Sequence, residues 1–284
     1  VDENLLGHVF VIGDVRQRES SGSSTDNKVT TNVKDYVVPV YLDGLTFCNI
    51  KSKPHKDIAG DSCSGGAAVF YKDQKKEDNT TLVDKSYVTE NGTTVTSDGV
   101  DYTQYTISES GNYPLYKLTM NRCDFRINGA TTEVPAVTIG AGGGEALIYN
   151  SVFHSNTGSP LVATDTKVVN CTFALNGGSI QFRNNEQGKS EMHNTVLWCN
   201  NGYKTTDECT GLSSGSMTYN AISSLRSDDD DNHNVTLSDD NNDVLQGPNF
   251  FDPASTAADS WAKASRDFRV NPSAKIIGKA SPKK

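Results

Sequence analysis

Five charged residues in three short stretches of this chain could meet one substrate: Glu145, Asp165, Arg183, Glu186 and Lys189. Two carboxylates facing each other across a glycosidic bond hydrolyse it. Glu145 and Asp165 are the pair such chemistry would use. Eliminative cleavage of a uronate polymer needs a base and a cation that neutralises the uronate carboxylate, and Arg183 with Lys189 suits that part. Charged loop residues are commonplace, so neither casting is specific. Tyr102 and Tyr105 offer rings on which sugars stack, or alternatively pack their own segment onto a scaffold. Asp228, Asp229, Asp230 and Asp231 carry the oxygen ligands that calcium prefers. They lack the Asp-x-Asp/Asn-x-Asp/Asn-Gly order of a helix-loop-helix calcium site, so the run reads first as a solvated acidic loop. No cysteine pair has C-x-x-C spacing and only 5 residues are His, which disfavours zinc.

The elements that must position these groups announce themselves by repetition. Val168-Val169-Asn170-Cys171-Thr172-Phe173-Ala174-Leu175-Asn176 matches Ile148 to Asn156 and Met192 to Asn200, residue class for residue class. Met120 to Asn128 is a fourth copy with Arg122 at the first Asn, and Leu42 to Phe47 a partial fifth with Gly44 there. From Cys123 to Ser151 is 28 residues, to Cys171 a further 20, and to Thr195 a further 24. A fixed motif at variable spacing suits a stacked coil with constant strands and variable loops. Cys171 and Phe173 are two apart, so one strand face carries both. Asn before them tolerates the positive φ of a sharp bend, and Gly44 does so more easily. The second Asn, at 128, 156, 176 and 200, starts the next turn. The expected fold is all-β, a right-handed parallel β-helix over residues 1–284. Phe47, Phe125, Phe153, Phe173 and Leu197 should ladder inside it. A β-sandwich with coincidental spacing is the alternative.

Residues 73–115 interrupt the repeat. There Asn91-Gly92 between Tyr87-Val88-Thr89 and Thr93 to Thr96 signals a hairpin. Only 35% of residues are hydrophobic, and no confident amphipathic helix emerges. The formal net charge of −9 leaves no basic stripe for nucleic acid and disfavours anionic membrane surfaces. No 18-residue apolar run and no signal peptide are present. Cys123 and Cys171, two rungs apart at about 10 Å, are too distant for a disulfide and read as small buried hydrophobes. Cys48 with Cys63, and Cys199 with Cys209, could each close a short loop or remain thiols.

Several segments carry a family likeness. Leu42-Asp43-Gly44-Leu45-Thr46-Phe47, Gly65-Gly66-Ala67-Ala68 and Asn194-Thr195-Val196-Leu197-Trp198-Cys199-Asn200 do so within the coils. Asn249-Phe250-Phe251-Asp252-Pro253 and Asp267-Phe268-Arg269-Val270 do so near the end, although Gly247-Pro248 and Ala274-Lys275 depart from the pattern. On these residues the chain resembles bacterial cell-surface right-handed β-helix proteins with polymorphic-outer-membrane-protein-like repeats, often of choice-of-anchor type. The fold of that group is pectate-lyase-like. The resemblance implies a closing segment over about 245–284, upstream coils, and a secreted or outer-membrane location. The expected function is adhesin-like binding of a polysaccharide or host glycan or matrix by a monomer, without catalysis in this segment and without a cofactor beyond calcium. The alternative is a polysaccharide lyase or glycoside hydrolase, and after it a structural stalk. Fold alone does not choose among them.

Overall fold

The computed structural model describes residues 9–12, 15–22, 29–36, 40–52, 55–56, 62–63, 66–71, 92–97, 100–105, 118–129, 134–139, 146–183, 190–201, 207–223, 232–243, 247–253 and 267–271. They form three long parallel sheets with almost no helix. The first sheet contains Val40–Asp43, Leu118–Asn121, Ala146–Tyr149, Thr166–Val169, Glu191–His193 and Met217–Thr218. The second contains Thr46–Cys48, Asp124–Arg126, Val152–His154, Thr172–Ala174, Val196–Trp198, Ala221–Ile222 and Val235–Thr236. The third contains Phe10–Ile12, Val69–Tyr71, Val137–Ile139, Leu161–Ala163, Ile180–Phe182 and Cys209–Thr210. From Leu118 to Thr210 the chain visits first, second and third sheet in that order four times, and each strand pairs in parallel with its counterpart one round earlier. Variable spacing in the sequence is therefore loop length between strands of constant register.

Period-2 alternation sets the core. Leu118 and Met120, Ala146 and Ile148, and Thr166 and Val168 are buried while their neighbours are half-exposed. One apolar cluster draws residues from all three sheets. Phe47, Phe125, Phe153 and Phe173 stack with centroids 4.7, 4.6 and 4.6 Å apart, a ladder that Leu197 continues in register. The expected interior column is thus the observed one.

Two kinds of bend turn the chain. Between first and second sheets, φ is positive at Gly44, Arg122, Asn150, Asn170, Asn194 and Tyr219, and it is positive also at His233 before Val235–Thr236. After the second sheet it is positive again at Asn49, Ile127, Ser155, Leu175 and Cys199. Leu and especially β-branched Ile are unusual there. The residue that follows holds the bend. Asn128, Asn156, Asn176 and Asn200 are buried, and their Nδ2 groups donate to the carbonyls of Phe47, Phe125, Phe153 and Phe173 at 2.9–3.0 Å. Their Oδ1 atoms accept from the backbone N–H of Ile50, Asn128, Asn156 and Asn176, one rung earlier. The buried Glu208 ends this column, its Oε2 accepting from Asn200 N and Nδ2 at 2.9 and 2.7 Å.

Cys123 and Cys171 are buried thiols with Ser151 between them, as the repeat implies. Desolvation pushes the Cys171 thiol up to about 12. Cys48, Cys199 and Cys209 are thiols too, so neither short loop is closed by a disulfide. Cys63 lies in the strand Ser62–Cys63, whose side chains are outside the description.

Within the 73–115 insertion, Gly92–Ser97 pairs antiparallel with Val100–Tyr105, Val100 opposite Ser97 and Gly92 opposite Tyr105. The expected partner strand Tyr87-Val88-Thr89 and Asn91 lie outside the described residues. A second hairpin, Val15–Gly22 with Val29–Tyr36, was not anticipated. It follows Phe10–Ile12 as the insertion follows Val69–Tyr71, and those two strands are paired neighbours. Both excursions therefore leave the third sheet at the same corner, on adjacent rungs, before the chain enters the first sheet.

Candidate functional site

The outer faces of the first and second sheets differ. On the second, Phe250–Asp252 pairs antiparallel with Asp267–Val270, and Phe250 and Phe268 pack with Ala174, Trp198, Ala221 and Leu237 in a separate apolar cluster. Phe268 also contacts the His154 ring at 4.7 Å, and Trp198 Nε1 donates to the Ser238 carbonyl at 3.0 Å. Burial raises the Asp124 carboxyl above its ordinary range, although Arg126 opposes the shift. Part of the expected closing segment thus covers one face.

The first sheet keeps its outer face open at its leading rung, where Tyr41 is 66% exposed. Two outward columns cross it. Tyr41, Thr119, Leu147, Lys167 and Glu191 share one register, and Asp43, Asn121, Tyr149, Val169, His193 and Thr218 share the other. At the leading end, Arg122 Nε donates to Asp43 Oδ1 at 2.9 Å and its Nη2 to Asp43 Oδ2. Asn121 also donates to Asp43 at 2.8 Å, and Asn150 to Asn121 at 3.1 Å. Arg122 holds the Asp43 carboxyl below the usual carboxylate range.

At the far end of the same face, Glu191 Oε2 lies 3.2 Å from Lys167 Nζ and 3.2 Å from His193 Nε2. His193 Nδ1 lies 2.6 Å from Thr218 Oγ1. Burial works against the Glu191 carboxylate, but its hydrogen bonds to His193 and Lys167 and their charges outweigh that, and its pKa is lowered. A carboxylate, an imidazole and a hydroxyl are thereby held in one hydrogen-bonded line, with His193 buried between half-exposed Glu191 and Thr218.

The charged residues expected to act are only partly brought together. Asp165 sits at the third-to-first corner with φ +45°, its carbonyl accepting the Ala146 N–H at 3.1 Å. Exposed Arg183 occupies the same corner one rung on, its N–H donating to Ala163 and its Nη2 to Gln181 Oε1 at 3.3 Å. Glu145, Glu186, Lys189 and Asp228 to Asp231 lie outside the described residues. Tyr102 and Tyr105 lie in the hairpin strand opposite Val95 and Gly92. Among the described residues no group of three or more His, Cys, Asp or Glu is arranged to hold a metal ion. Sequence reasoning missed Lys167, Glu191, His193 and Thr218. Their signal was the repeat itself: Lys167 to Glu191 and Cys171 to Thr195 are both 24 residues, so one register aligns both pairs.

These features define an all-β protein of long parallel sheets stacked rung on rung, with one outer face strapped and another presenting polar and aromatic side chains. Comparison with known families, curated proteins and solved structures finds no match to the chain.

Proposed function

We propose that the chain is a right-handed parallel β-helix of the kind found in cell-surface proteins with polymorphic-outer-membrane-protein-like repeats, secreted or displayed on a bacterial surface. Its role in this reading is to bind a polysaccharide, host glycan or matrix along the outer face of the first sheet. The observation that carries the proposal is the contrast between the strapped second-sheet face and the first-sheet face with its exposed Tyr41, half-exposed Tyr149 and amide column. Tyr rings joined to fixed hydrogen-bonding groups suit sugars, which present apolar ring faces edged with hydroxyls. A rigid scaffold positions them without an ordering cost on binding. Retention of the protein on a panel of immobilised polysaccharides tests this, with Tyr41→Ala and Tyr149→Ala expected to weaken retention. Asp165 and Arg183, together at a corner of this face, support the alternative of a polysaccharide lyase or glycosidase. Unsaturated or reducing-end sugars released by the wild type and lost in Arg183→Ala would favour it. Neither retention nor cleavage would leave the structural stalk.

A further inference from the structure

Beyond binding, we infer that Thr218, His193 and Glu191 form a hydrolytic site for acyl esters, the class of substituent that O-acylated glycans carry. The three groups have the geometry of an activated nucleophile: a hydroxyl 2.6 Å from an imidazole nitrogen, and the other ring nitrogen 3.2 Å from a carboxylate. Ionised Glu191 is the stronger acceptor, and Lys167 at 3.2 Å favours that state. A carboxylate at Nε2 selects the tautomer with hydrogen on Nε2, leaving Nδ1 to accept the Thr218 proton.

The chemistry balances with water as co-reactant. Thr218 Oγ1 bonds to the ester carbonyl carbon while its proton passes to His193 Nδ1. Glu191 stabilises the imidazolium. The C–O bond to the leaving alcohol breaks, and that oxygen takes the proton from Nδ1. Water then attacks the acyl-Thr218 carbonyl, gives a proton to Nδ1, and the proton returns to Thr218 Oγ1 as the carboxylic acid leaves. Thr218 and His193 are the catalytic residues and Glu191 is a positioning residue. Tyr149 precedes His193 in the same outward column by two rungs, about 10 Å. A sugar stacked on Tyr149 would present a neighbouring unit's ester near Thr218.

The test uses the purified chain with 4-nitrophenyl acetate and with a fluorophosphonate probe, neither of which depends on glycan binding. Hydrolysis about 100-fold or more above buffer is expected, the range a positioned base supplies. Peptide mapping should place the phosphonyl adduct on Thr218. Thr218→Val should return the rate to the buffer level with an unchanged thermal midpoint. Glu191→Gln should lower kcat at least tenfold with KM and the thermal midpoint unchanged, which a merely structural Glu191 would not do. If Thr218→Val does not fold, the adduct position and the kcat of Glu191→Gln decide. Buffer-level hydrolysis by the wild type, an adduct elsewhere, or full activity in a folded Thr218→Val overturns the inference. Ester cleavage without polysaccharide retention would remove the binding reading alone.

Discussion

At the residue scale, aromatic stacking and buried amides do different jobs. Phe153 is fully buried between two parallel rings, so Phe153→Ala should cost about 3–5 kcal/mol in a denaturant melt. A loss under about 1 kcal/mol would mean that the column is not interior. Asn176 donates to the Phe153 carbonyl and to Asn200 Oδ1, and accepts from Asn156. Leucine there would strand backbone and amide groups away from water, at about 1–3 kcal/mol for each buried group left unpaired. Asn176→Leu should therefore be much more disruptive than Asn170→Gly, because exposed Asn170 mainly supplies a backbone with φ +54°. Equal tolerance of the two by melting would contradict this division of roles. The Cys171 thiol, at about 12, should resist alkylation in the native state at pH 8. Because its folded pKa lies above the ordinary thiol value of 9.0, its stabilising contribution is complete below about pH 9. That contribution is lost as pH rises towards 12, so denaturant midpoints should fall in that window. Rapid labelling of Cys171 in folded protein would contradict the account.

At the element scale, register was more legible than turns. The motif copies located the inward column and the bends after the first sheet, because a period of two and a positive-φ residue both leave marks in residue type. The second set of bends was marked one residue late, by the Asn at 128, 156, 176 and 200, whereas positive φ falls on the residue before it. Ile127, Leu175 and Cys199 have positive φ because the buried Asn that follows fixes the chain, a tertiary cause invisible in the bend residue itself. The pairing of Gly92–Ser97 with Val100–Tyr105 was not legible, because alternation alone does not choose which neighbouring segment a strand pairs with. The acid–base line carries no loop signal, because Lys167, Glu191 and His193 lie on regular strands and only register brings them together. Glycines at close approaches offer a check on rung packing. A Cβ on Gly177 would lie 2.0 Å from the Thr157 carbonyl oxygen, backbone that cannot swing aside. Gly177→Ala should therefore lower the melting temperature clearly, whereas Gly215→Ala, with open space around it, should not. Similar losses for the two would mean that these rungs pack differently.

At the scale of the whole molecule, stacking rungs in register converts short motifs into long columns. Inward columns become the core, and outward columns become faces whose composition changes gradually along the stack. The C-terminal pair of strands covers the second-sheet face with Phe250 and Phe268. The first-sheet face carries Tyr41 and the Asp43–Arg122 pair at one end, Tyr149 between, and Glu191, His193 and Thr218 at the other. An extended polymer lying across the rungs would meet these groups in that order. The most direct test is retention of wild-type protein on a polysaccharide panel, compared with the Tyr41→Ala/Tyr149→Ala double variant and with Asp165→Asn as a corner control. The account expects the wild type to be held by at least one polysaccharide. The double variant should lose at least tenfold in affinity with its melting temperature intact, and Asp165→Asn should bind like the wild type. Undiminished retention by the folded double variant would contradict it.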